Sequence, residues 1–296
     1  RRGNLPHNDH PDNNQRDRGD DNQRQIQRCT DCEHKAYHNH NRGQNCGSQD
    51  DVHKHHNLEC IIIGSCNQRS HTDFIHLPEG NSRINVKVKH GDETEINGQG
   101  PVITEEAINE LFAKLATLTK EDILVLAGSI PNTLPEDIYE KILARLESKG
   151  IRVVVDATKD LLLNVLKYHP FLIKPNNHEL GEMFGTVCKT DEDIVHYAKK
   201  LQEKGAVNVL ISMAGDGAIL ITEDGQNIKM GTPKGKVVNS VGAGDSMVAG
   251  FITGYIRGGN YEEALKSGTA AGSATAFSEG LASLEMYEKM LKQITE

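Results

Sequence analysis

The stretch with the most chemical content is Asn239-Ser-Val-Gly-Ala-Gly-Asp-Ser-Met-Val-Ala-Gly-Phe251. Gly242, Ala243 and Gly244 carry little or no side chain, so their backbone N–H groups can approach an anion closely. Met247, Val248, Phe251 and Ile252 follow at the spacing of a buried helix face, which puts the small residues at a helix N-terminus. Unpaired donors and the helix dipole both favour a phosphate there. Asp245 is out of place by that logic, because a carboxylate beside a phosphate is repelled. A general base has reason to stand there. It takes the proton from an acceptor hydroxyl while the glycine amides hold the charge of the transferring phosphoryl group. The competing reading is a tight turn with Asp245 as a helix cap.

Other residues could serve the same chemistry. Lys174-Pro-Asn176 directly follows an apolar run, with Glu179 one turn further on. Lys174, Asn176 and Glu179 offer one cation and two oxygen ligands, a set suited to a Mg²⁺-bound triphosphate. For Glu179 the alternative is a first-turn charge on a helix. Ser212-Met-Ala-Gly-Asp-Gly217 places Ser212, Gly215 and Gly217 after another apolar run, although Gly-Asp-Gly is equally a turn sequence. Arg83 begins an alternating segment, and its fork can hold two phosphate oxygens. Ser273 lies in the small-residue stripe Ala270-Ala-Gly-Ser-Ala274, which would admit a flat adenine or a tightly packed helix.

The elements that would position these groups can be read from hydrophobic periodicity. Ile108, Leu111, Phe112 and Leu115 make a helical stripe. Asp122-Ile-Leu-Val-Leu-Ala127 is a buried strand running into Gly128-Ser129-Ile-Pro131. Helices carrying Ile138–Leu146 and Ile194–Leu201 alternate with apolar strands at Ile151–Asp156, Phe171–Ile173 and Val207–Ser212. Continuous apolar strands alternating with helices predict an α/β fold with a mostly parallel sheet and helices on both faces. Ligands of such folds collect at the carboxyl ends of the strands, where Gly128-Ser129, Asp156, Lys174, Ser212 and the Gly242–Asp245 turn would meet. Outside this pattern, Ile84, Val86 and Val88 alternate with Asn85, Lys87 and Lys89, turn at His90-Gly-Asp92, and return through Glu93–Asn97. That is a β-hairpin over 83–97 with one polar and one apolar face, a small lid.

Composition narrows the function classes. The 296 residues have a net charge of −9 and no Trp, which argues against a nucleic-acid binder. No apolar run is long enough to span a membrane. Residues 1–71 hold ten basic and ten acidic groups, so the acidic excess belongs to the rest. Residues 1–57 are rich in Asn, Gln, Asp, Arg and His and almost free of aliphatic residues, too polar to offset their ordering entropy by burial, and Leu58–Ile63 is the first plausible buried strand. Cys29-Thr-Asp-Cys32 with His34, His38 and His40 invites a zinc reading, but the second ligand pair lacks the usual spacing. Cys46, Cys60 and Cys66 also lie in this early part, and after residue 71 the only cysteine is Cys188, so the later part has the pattern of a reduced, cytoplasmic protein.

Ser82-Arg83-Ile-Asn-Val-Lys87, Gly128-Ser-Ile-Pro131, Lys174-Pro-Asn-Asn-His-Glu179, Ser212-Met-Ala-Gly-Asp-Gly217 and Val241-Gly-Ala-Gly-Asp-Ser246 together resemble the ribokinase-like sugar kinases of the phosphofructokinase-B family. The resemblance runs from Thr72 to the C-terminus, so 72–296 is expected to be the kinase domain. The hairpin is similar to that of the branch acting on fructose 1-phosphate. What the resemblance implies is ATP-dependent phosphorylation of that sugar to fructose 1,6-bisphosphate; enzymes for tagatose 6-phosphate or fructose 6-phosphate, or a non-catalytic sensor, are the alternatives. It further implies Asp245 as base and Gly242, Ala243 and Gly244 as the anion hole. Asn176 and Glu179 would organise Mg²⁺. Lys174, Ser212, Gly215, Gly217 and Ser273 would lie on the ATP side, and Arg83 and Ser129 on the sugar-phosphate side. A homodimer through the lid is expected. Residues 1–71 stand where the family has its first strand, an early sugar-binding Asp and a Gly-Gly-Lys-Gly-x-Asn motif. Their only lysines are Lys35 and Lys54, neither in such a context.

Overall fold

A computed structural model describes residues 60–63, 73–81, 84–90, 92–128 and 130–295. All of them fall in one unit formed by Cys46–Ser65 and Thr72–Glu296. Seven strands make the main sheet: β1 (Cys60–Ile63), β4 (Ile123–Ala127), β5 (Arg152–Asp156), β6 (Leu172–Ile173), β7 (Asn208–Ser212), β8 (Ala218–Ile221) and β9 (Asn227–Met230), side by side in that order. β4 to β7 run parallel, while β1, β8 and β9 pair antiparallel at the two sides. The parallel strands read Ile-Leu-Val-Leu, Val-Val-Val and Val-Leu-Ile because both of their faces are covered.

Alternation along each strand divides the core in two. Leu124, Leu126, Val153, Val155, Ile173, Val209 and Ile211 face one way. They meet α1 (Glu105–Ala116), α2 (Ile138–Leu146), α3 (Lys159–Val165), α4 (Asn177–Met183) and α5 (Asp191–Glu203). Ile123, Val125, Val154, Leu172, Leu210 and Leu220 face the other way, onto Val248, Phe251 and Ile252 of α6 (Ala243–Gly258) and Ala264 and Leu265 of α7 (Tyr261–Ala276). Helices on both faces of a mostly parallel sheet is the architecture expected. α8 (Leu284–Thr295) closes the outer side of α7 through Met290 against Ala270 and Ala274. Among the described residues no helix is long and apolar enough to cross a membrane.

The hairpin forms a separate two-stranded sheet, β2 (Asn85–His90) with β3 (Asp92–Asn97), in which Val86 stands opposite Ile96. Ile84 and Ile96 are exposed at 75% and 60%, so the apolar face finds no cover at these positions. The two ends of the hairpin come together where a Cβ on Gly80 would lie 2.6 Å from Pro101, and Thr133 Oγ1 donates to the Pro101 carbonyl. Thr133 follows the Gly128–Pro131 turn, so this neck is anchored beside the carboxyl end of β4.

Candidate active site

Four neighbouring strands deliver their ends to one crevice. Ala127 at the end of β4 is in register with Asp156 at the end of β5, and Gly128 N–H donates to the Asp156 carbonyl at 3.1 Å. Gly128 makes this turn at φ +82°, a conformation that favours glycine. Beyond β6, Lys174 N–H still reaches the Val155 carbonyl, and Asn176 forms a parallel bridge to Ser212 at the end of β7. The sheet thus aligns Asp156, Lys174, Asn176 and Ser212 across adjacent strands, as the strand-end rule requires.

Lys174 is buried to 7% exposure, an unusual position for an ammonium unless it is paired. Its Nζ lies 3.2 Å from Asp156 Oδ1 on one side. On the other side it lies 3.0 Å from the point a Cβ on Gly244 would occupy. The cation therefore sits between the end of β5 and the first turn of α6. Burial pushes the Asp156 carboxyl above the usual range; Lys174 pulls it down, and the nearby charges of Asp245 and Glu179 push it up again. Three carboxylates and one ammonium share this field.

The start of α6 keeps only part of the expected Gly242, Ala243 and Gly244 amide set open, because Ala243 N–H is spent on the protein. Gly242 is its N-cap, left-handed at φ +79°, with no side-chain cap. Ala243 N–H turns back to the Ser240 carbonyl, and Ser246 N–H begins the helical ladder on Gly242. Between them, the amides of Gly244 and Asp245 meet no protein acceptor among the described residues. Asp245 is exposed in the third helical position, so it is not the N-cap residue of the competing reading. Ser246 Oγ lies 2.8 Å from Thr275 Oγ1, which also accepts from Ala282 N–H; this ties the first turn of α6 to the end of α7.

Asn176 and Glu179 form a capping box on α4: Asn176 Oδ1 accepts from Glu179 N–H, and Glu179 Oε2 accepts from Asn176 N–H, both at 2.8 Å. This satisfies the helix-end alternative for Glu179 and still leaves its second carboxylate oxygen for a cation. No three His, Cys, Asp or Glu residues among those described converge on a metal position. That donor set fits Mg²⁺, which is commonly held by one or two carboxylates together with substrate phosphates.

The remaining expected residues divide. Ser212 is half-buried at the crevice. Gly215 is exposed on a 3-10 turn, whereas a Cβ on Gly217, at φ +93°, would stand 2.0 Å from the Met230 carbonyl. Gly217 is thus required by the turn itself. Ser273 is buried on α7, and the small residues before it serve helix packing: Cβ atoms on Gly268 and Gly272 would meet the Met247 and Ala243 carbonyls at 2.9 and 3.1 Å. Gly268, Ala271 and Gly272 thus meet α6 while Ala270 and Ala274 meet α8, which accords with the helix-packing reading of this stripe. Arg83, Ser129 and the Cys29–Cys32 motif lie outside the described residues. Asp156 was legible only as a strand end; the available signal was a charge closing the apolar run Val153–Val155. A second concavity, of about 420 Å³, lies at the amino ends of β6 and β7. Two of its polar side chains are spent on the fold: Gln202 Nε2 donates to the Val207 and Thr222 carbonyls, and Glu223 accepts from Tyr261.

The profile of the pfkB family carbohydrate kinases matches residues 71–286. The chain belongs to the pfkB family of carbohydrate kinases. Among its pfkB relatives, a 1-phosphofructokinase of Bacillus subtilis is 51% identical over 216 residues, covering 73% of this chain and 71% of the relative. A D-tagatose-1-phosphate kinase of Bacillus licheniformis is 37% identical, covering 77% and 75%. A crystal structure of phosphofructokinase-2 from Escherichia coli in complex with substrates and products superposes with a TM-score of 0.66 at 25% identity, covering 73% of this chain and 71% of that one. Membership of the pfkB kinases and the ribokinase-like α/β fold agree with the sequence resemblance.

Proposed function

We infer that this chain transfers the terminal phosphoryl group of ATP to fructose 1-phosphate, producing fructose 1,6-bisphosphate. The observation that carries the reading is the open first turn of α6: two unpaired amides, an exposed Asp245 carboxylate beside them, and the Lys174 ammonium against Gly244. Asp245 takes the proton from the attacking sugar hydroxyl. The Gly244 and Asp245 amides receive the charge that spreads over the transferring group. Lys174 binds phosphate oxygens in ground and transition states alike, and Ser212 and Gly215 line the nucleotide side. Glu179 and Asn176 would hold Mg²⁺, which supplies neutralisation of phosphate charge when bound. Arg83 and Ser129 are assigned to the sugar phosphate by motif. The Bacillus subtilis relative supports fructose 1-phosphate as acceptor. Because ATP is the donor and Cys188 a free thiol, we place the reaction in the cytoplasm.

The hairpin is read as a lid whose apolar face packs on the lid of a second copy, since a two-stranded sheet with one bare apolar face is not stable alone. Sedimentation at micromolar concentration is expected to show a dimer; a monomer contradicts this arrangement.

The test is initial rates with fructose 1-phosphate, fructose 6-phosphate, tagatose 1-phosphate and tagatose 6-phosphate. Fructose 1-phosphate is expected to have the highest kcat/KM, and a clear preference for another sugar reassigns the substrate. A non-catalytic sensor is the second reading, favoured by the missing Asp and Gly-Gly-Lys-Gly-x-Asn elements in residues 1–71. ATP binding with no turnover on any sugar selects it.

A further inference from the structure

Asp156 has no part in the chemistry described so far, yet it is the nearest anion to a buried cation. Its side chain is 17% exposed and that of Lys174 is 9% exposed, so both charges have left bulk water. An ammonium brought to the N-terminus of a helix also meets the positive end of the dipole. Unpaired, Lys174 would be expelled from that position by desolvation and by the field of α6. A carboxylate at 3.2 Å offsets both effects and fixes the direction of the Nζ. The backbone makes the anchor rigid. Asp156 is held in register with Ala127, and its carbonyl accepts from Gly128 N–H. Lys174 N–H in turn bonds to Val155, one residue before Asp156.

We propose that Asp156 is a positioning residue for phosphoryl transfer, holding the Lys174 ammonium against Gly244 at the mouth of α6. The inference rests on the reading of this crevice as the phosphoryl-transfer site. Asp156 touches neither sugar nor nucleotide in this account and acts only through Lys174. A phosphate arriving at α6 then meets an ammonium already in place. Losing about 1 Å of placement at a reacting centre can cost on the order of 10²-fold in rate.

Two measurements test this, one of which needs no turnover. In a crystal structure of Asp156→Asn, Lys174 Nζ is expected to leave its position against Gly244 while β5 and α6 stay in place; an unmoved Nζ overturns the proposal. In kinetics, Asp156→Asn is expected to lower kcat/KM for ATP roughly 10- to 100-fold, with KM for ATP raised as well as kcat lowered, because the displaced Lys174 contacts phosphate in the ground state too. A merely structural role would lower thermal stability and the active fraction but leave kcat per active site unchanged, and that result counts against the proposal. Asp156→Asn leaves a buried ammonium without its partner and could fold poorly. The double variant Asp156→Asn/Lys174→Met removes both charges. It is expected to be no slower than Lys174→Met alone, whereas a further loss of about tenfold or more would show Asp156 acting independently of Lys174. If the unmodified chain turns over no sugar phosphate, the kinase reading fails while the crystallographic arm still decides the role of Asp156.

Discussion

Two sets of glycines meet in α6 and do opposite jobs. At its first turn, Gly242 takes up φ +79° and Gly244 gives up a side chain where Lys174 Nζ arrives. Further along, Gly250 and Gly254 give up theirs to another helix: Cβ atoms there would stand 2.6 Å from the Ser267 carbonyl and 2.5 Å from the Glu263 carbonyl of α7. Gly268 and Gly272 return the contact from α7. In the seam the obstacle is backbone, which cannot yield; at the first turn it is the end of a lysine, which can. The same residue type therefore marks packing at one place and room for an anion at the other. Only the identity of the neighbour separates them.

Substitutions that add side chains should divide the two sets, and the largest effect belongs to the seam. Gly254→Val drives carbons into the α7 backbone and pushes α6 away from α7. A loss of roughly 3 kcal/mol or more is expected from chemical denaturation. Gly217→Ala comes next, since it combines a left-handed φ with a 2.0 Å approach to the Met230 carbonyl. About 2–3 kcal/mol is expected there, and an unchanged denaturation midpoint would reopen a purely nucleotide-binding role for that glycine. Gly244→Ala should cost least in stability, within about 0.5 kcal/mol, because the lysine end can shift by a few tenths of an ångström. Its turnover should nevertheless fall, by about tenfold. Equal stability losses at Gly244 and Gly254 would erase the distinction.

The sheet was legible because β4 to β7 have apolar centres and the helices keep a 3.6-residue stripe, so α1, α2 and α5 and strands β4 to β7 lie where the pattern put them. The direction of the flanking strands was not. β1 is one apolar run like the others, yet it pairs antiparallel with β4, and nothing local in Cys60–Ile63 encodes that. The β8–β9 pair also went unread, because no helix separates Ala218–Ile221 from β7 to mark a new repeat of the alternation. At the site, Gly242–Asp245 could be read from side-chain size followed by a helical pattern. Asp156 could not, since its role depends on Lys174 eighteen positions later and on the two strands lying side by side. In the Ala270–Ala274 stripe small residues allowed a ligand or helix packing alike, and the structure puts Ala271 and Gly272 against α6 and Ala270 and Ala274 against α8.

The most direct test of the account is Asp245→Asn. The substitution keeps size and removes the base, and Gly242 rather than Asp245 is the N-cap of α6, so the fold should hold. With fructose 1-phosphate saturating, kcat should fall by about 10²–10⁴, while the dissociation constant for ATP, measured by calorimetry without sugar, stays within about threefold. Turnover within a few fold of the unmodified chain would contradict the central claim that the carboxylate at the mouth of α6 takes the sugar's proton.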